Sequence, residues 1–185
     1  MSAQRGLTTR DVLLAATGGV AAAAISKVLG HAVRLGVGVP MAGSLVAALP
    51  RTAVLLVVLA RARGFGVLTL AGVAEGVLSL GLGGMFPLCV AGPVVAGACA
   101  DAAWRWARVG GERGRLAGSG AVLAAARMLV VLALVAALGV RVGRGEHGIG
   151  AMPVVIVVGT FVLGGAAGLL ASVITRELRR AGVMA

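Results

Sequence analysis

Tyrosine is absent from this chain, and three Phe and two Trp among 185 residues leave an aromatic content of 3%. A domain so poor in rings has little with which to stack a flat heterocycle or to build a core around aromatic anchors. Charge is scarce as well, at 12% of residues, about half the ~25% of an ordinary soluble protein. Only six side chains are acidic. Two cysteines exclude a disulfide framework, and Cys89 and Cys99 stand ten residues apart in one apolar stretch, on helix faces about 80° apart. They read as small apolar packing residues. Also missing are His-Glu-x-x-His, Gly-x-Ser-x-Gly, the Walker lysine motif and Cys-x-x-Cys. No enzyme, cofactor or metal site is expected, and His31 and His147 are read as solvated residues of external loops.

What the chain does have is apolar bulk: 59% hydrophobic residues, a mean hydropathy of +1.06 and 31 glycines. These values describe an integral membrane protein, whose small residues let helix backbones approach closely in lipid. A net charge of +11 would point a soluble protein toward nucleic acid. Here the basic residues fall in short runs between apolar segments, so they are topology signals and no nucleic-acid partner is expected.

The pattern predicts one all-α membrane domain over 1–185, a bundle of six transmembrane helices spanning about 12–30, 41–60, 64–83, 86–107, 116–140 and 152–175. Arg5 and Arg10 ahead of the first run resemble the basic start of a signal peptide, but the run is nearer twenty residues than the ~7–15 of a signal sequence. Six spans put both termini on one side. That side collects eleven Lys and Arg, the other has three, and three lie within spans, so the termini are expected to be cytoplasmic. Residues 31–40 read as the first external loop.

The third and fourth spans, joined by a turn at 83–87, form the hairpin around which the rest is arranged. Glu75 is the one carboxylate in its first half, about 16 Å along a span of about 30 Å. A charge at that depth costs about 3 kcal/mol or more, so it must face protein or a water-filled cavity. Small residues recur every fourth position on its face, at Ala71, Ser79 and Gly83. Arg51, after Pro50 in the second span, and Arg127, on the face of Gly120 and Ala124 in the fifth, lie at similar depth. Lys27 lies nearer the outer surface, where it either snorkels or reaches a pocket. Asp101 is read as an i,i+4 partner of Arg105, with Trp104 and Trp106 at the inner interface. Glu75, Arg51, Arg127 and Lys27 are the candidate substrate-binding residues. The alternative is a set of intramembrane ion pairs that fix helix register.

The opening LTTRDVLLAATGGVAAAAISKVLG, the central GVAEGVLSLGLGG and the following PLCVAGPVVAGACAD resemble the substrate-binding S components of energy-coupling factor (ECF) transporters, over nearly the whole chain. The resemblance implies a multi-pass subunit of the bacterial cytoplasmic membrane that captures a vitamin or other small micronutrient for ATP-driven import. Its partners would be a membrane scaffold (T) subunit, two ATPase subunits, the small-molecule substrate and the bilayer. It also implies that an Ala-x-x-x-Ala element of the first helix docks the scaffold, here at Ala15 and Gly19 with Ala23 continuing the stripe. Family members that bind large rings resemble one another in aromatic stacking, and here only Phe86 and Phe161 lie where a ring reaches an outer pocket. A small anionic or aliphatic micronutrient is preferred. The cobalt and nickel branch begins Met-His, whereas the second residue here is Ser2. The rival reading is a small structural, regulatory or immunity-type membrane protein whose buried charges only hold the bundle together.

Overall fold

The first helix opens with a reciprocal cap. Thr8 Oγ1 accepts from the Asp11 amide at 3.2 Å, while an Asp11 carboxylate oxygen accepts from the Thr8 amide at 3.1 Å and from the Thr8 hydroxyl at 2.8 Å. Two backbone donors that the helix leaves free are thereby satisfied. A computed structural model describes residues 7–37, 42–62, 64–83, 88–107, 111–137 and 152–182. Among these residues the secondary structure is all-α, with helices α1 (Thr9–Val37), α2 (Ala42–Arg61), α3 (Val67–Gly81), α4 (Leu88–Trp106), α5 (Gly111–Ala137) and α6 (Met152–Arg180).

The helices form a closed ring in the spatial order α1, α2, α6, α5, α4, α3, and α2 also touches α3 and α5 across it. α2 is therefore the most enclosed element: Leu55, Leu56 and Leu59 are buried along with Ala47, Ala48 and Ala53. Pro50 lies inside this helix, which continues through it. Neighbouring helices approach through small residues. A Cβ on Gly120 of α5 would collide with the carbonyl of Gly164 of α6, and one on Gly164 with the carbonyl of Gly120. Gly72 of α3 and Gly97 of α4 are pressed in the same way against Pro93 and Leu68. Such backbone contact supplies dispersion that longer side chains would block.

The outside of the ring is apolar. Leu13 and Val28 of α1, Val77 of α3 and Val158, Val162 and Val173 of α6 are each more than half exposed. Polar groups go inward instead, with Arg51, Thr52, Glu75, Asp101 and Ser119 all buried. This distribution inverts that of a soluble bundle. Within α1, α5 and α6, the stretches Thr9–Val33, Gly111–Leu134 and Ile156–Arg180 are long and apolar enough to cross a membrane, with mean hydropathies of 1.8, 1.9 and 2.1.

Several expected boundaries move. α1 runs to Val37, so His31 and Arg34 belong to a helix and not to an external loop. α5 starts at Gly111, inside the expected polar loop, and the terminal basic run 176–180 is helical. Hydropathy ends where charge begins, but Arg, Leu and Glu are good helix formers, so the backbone continues past the apolar window. The expected turn at 83–87 and loop at 141–150 fall largely or wholly outside the described residues.

One end of the ring collects the start of α1, the end of α2, the end of α4, the start of α5 and the end of α6. Gly64 lies against Leu7 and Asp11 there, and Ala60, Trp104, Gly111 and Arg179 surround one cavity. Gly30 and Gly43 meet at the other end. Arg61 and the segments 105–107, 111–115 and 176–180 are thus gathered at the same end.

Candidate functional site

α3 presents Ala71, Gly72, Glu75, Gly76 and Ser79 to the bundle and Val73 and Val77 to the outside. The i, i+4 spacing of Ala71, Glu75 and Ser79 carries the carboxylate inward, where 1% of its side chain remains exposed. Arg127 reaches it from α5, its Nη1 donating to Glu75 Oε1 at 2.5 Å. The stem of Arg127 passes α4 at Gly92, where a Cβ would stand 3.8 Å from Arg127 Cγ. Arg51 Nη1, from α2, stands 3.8 Å from the same Glu75 oxygen. That separation is an ion pair without a hydrogen bond.

Three of the four predicted substrate-binding residues are therefore together. They come from α2, α3 and α5, the helices that meet across the ring. Two guanidinium groups facing one carboxylate leave one positive charge uncompensated inside the bundle. The Arg51 side chain is 9% exposed, and its Nε has no hydrogen-bond partner among the described residues. The hydroxyls of Thr52, next to Arg51, and Ser119 of α5 are buried in the same unpartnered state. An inward cation with an unused donor is suited to an anionic group on a small molecule, which would accept a charge-assisted hydrogen bond and cancel the excess charge.

Lys27 does not join this group. Its Nζ donates to the Leu82 carbonyl at 3.3 Å, about 10 Å further along α3 than Glu75, and so serves the C-terminal end of that helix. The stripe Ala15, Gly19 and Ala23 also needs correction as a docking surface. Ala15 and Ala23 are fully buried, and a Cβ on Gly19 would strike the Ala71 carbonyl of α3. Gly19 thus lies in the α1–α3 contact, and α1 turns Leu13, Val20 and Val28 outward. Phe161 is half exposed on the outer wall of α6 between Val158 and Val162, away from any inner pocket, and Phe86 lies outside the described residues.

Asp101 has a role that its spacing to Arg105 did not indicate. Its carboxylate accepts from the amides of Leu68 at 3.2 Å and Thr69 at 2.9 Å and from the Thr69 hydroxyl at 2.8 Å. The residue before α3 is Gly66, at φ 90° and without a side-chain cap of its own, so α4 supplies the cap that α3 lacks. The negative carboxylate also meets the positive end of the helix dipole. Arg105 lies over the Phe65 ring, 5.7 Å from its centroid.

Comparison with protein-family models, curated proteins and solved structures found no match for this chain.

Proposed function

We propose that this chain is the ligand-capturing membrane subunit of an ATP-driven importer of the ECF type, and that its ligand is a small anionic micronutrient. In this reading it crosses the bacterial cytoplasmic membrane six times with both ends inside. The observation that carries the reading is the Arg51, Glu75 and Arg127 group, contributed by three helices, with one positive charge in excess and a buried Arg51 Nε that has no partner among the described residues. Glu75 holds Arg127 and restrains Arg51, so an incoming carboxylate or phosphate meets a donor already in place and loses less entropy on binding. A wall with almost no rings favours an aliphatic or inorganic anion over a flat vitamin. Energy would come from a scaffold subunit and two ATPases. Because the small stripe of α1 is consumed within the bundle, the outward residues Leu13, Val20 and Val28 are the face left for that scaffold.

The test is a thermal-shift and equilibrium-binding screen of small carboxylates and phosphates on the purified chain, followed by Arg51→Gln. Loss of the ion-to-guanidinium contact is expected to weaken binding by roughly tenfold or more, ~1.5–3 kcal/mol. The observation favouring the structural alternative is the close Arg127–Glu75 hydrogen bond. If no anion stabilises the wild type, and the chain fails to associate with the scaffold and ATPases encoded in its own genome, the group is a structural network.

A further inference from the structure

We infer that the arginine-rich end of the bundle, between the start of α5 and the end of α6, holds the headgroup phosphate of an anionic phospholipid. This inference is independent of the proposed transport ligand. A cavity of about 300 Å³ opens there, with Arg113, Arg176 and the Glu112–Arg179 pair on its walls. A second, of about 430 Å³, shares Gly111, Glu112 and Arg179 with it and adds Trp104 and Arg115. Arg179 gives both Nη groups to Glu112, at 2.8 and 2.7 Å, which neutralises the pair. Arg115 is held by its Nε and Nη2 on the Trp104 carbonyl, at 3.3 and 2.8 Å, with its guanidinium 4.0 Å from the Trp104 ring centroid. Among the described residues Arg113, Arg115 and Arg176 have no carboxylate partner. Three positive charges thus surround two cavities that share a wall.

The first turn of α5 adds amide donors that its own helix does not use, at the positive end of a 27-residue dipole. Glu112, the one acidic group in that turn, is already occupied by Arg179. The hydroxyls of Ser172 and Thr175 donate to the carbonyls of Leu169 and Ala171, so the phosphate donors are the arginines and the α5 amides. A lipid is favoured over a free anion by what lies beside the cations. Leu169, Leu170, Val173 and Ile174 are exposed on the turns of α6 leading up to Arg176, forming an apolar wall for acyl chains under a cationic shelf. Such basic pockets at membrane helix ends suit anionic headgroups.

The experiment compares the wild type with an Arg113→Gln/Arg176→Gln double variant, both purified in uncharged detergent and titrated with phosphatidylglycerol or phosphatidylcholine under native mass spectrometry. Both arginines are exposed, so the variant should keep the wild-type melting temperature without lipid. The expected result is roughly thirtyfold weaker phosphatidylglycerol binding by the variant, ~2 kcal/mol for two cations near a membrane surface, with phosphatidylcholine binding unchanged. A double Arg→Lys variant at the same positions, which retains the charge, should recover most of the binding. Equal phosphatidylglycerol binding by wild type and the Gln variant overturns the inference. So does displacement of the lipid by millimolar inorganic phosphate, which would make the site one for a soluble anion.

Discussion

Glu75 offers one oxygen to two arginines, and its charge offsets the buried Arg51 and the partly buried Arg127. Glu75→Gln keeps the shape and removes that charge, leaving two guanidinium groups facing each other. The expected cost is ~3 kcal/mol or more, read as a fall in melting temperature of the purified protein. Asp101→Ala should cost ~1–2 kcal/mol by removing the cap of α3, and should leave anion binding intact in the folded fraction. Both partners of Glu75 were legible in the sequence, because a lone carboxylate in an apolar run requires compensation and only a few cations share its depth. The role of Asp101 was not. Its partners, Leu68 and Thr69, lie more than thirty residues away, whereas helical spacing points first to the neighbour at i+4.

At the scale of single helices, six apolar segments were readable from hydropathy, and each helix overlaps one of them. Helix ends were less legible because the charged flanks are themselves good helix formers, and so α1, α5 and α6 overrun their apolar windows. Small-residue stripes were visible too, but such a stripe records only that another backbone comes close. On α1 that backbone is α3 of the same chain. Gly19→Leu should therefore destabilise the bundle itself, by ~3 kcal/mol or more since the obstruction is a carbonyl in a packed helix. Folded yield, ligand binding and scaffold association should fall together. Val20→Trp, on the outward face, should reduce association with a scaffold while melting temperature and binding stay at wild-type values. Separate loss under Gly19→Leu would return the docking surface to the buried stripe.

Across the whole molecule, the ring gathers Arg61 and the segments 105–107, 111–115 and 176–180 at one end, where charge counting also placed most of the arginines. Single-cysteine labelling of intact cells is expected to leave position 110 protected and position 145 reactive from outside. Labelling in the opposite sense would invert the proposed orientation. Helix α3 also bears on how the protein is made. At 15 residues it measures about 22 Å, short of the ~30 Å hydrocarbon layer, and its two ends are finished by other helices: Asp101 of α4 at the first turn, and Lys27 of α1 beyond the last. During synthesis α1 has already left the ribosome when α3 emerges, but Asp101 has not. α3 therefore waits, incompletely bonded, until α4 follows it, and under the proposed six-span topology the two helices are expected to insert as a pair.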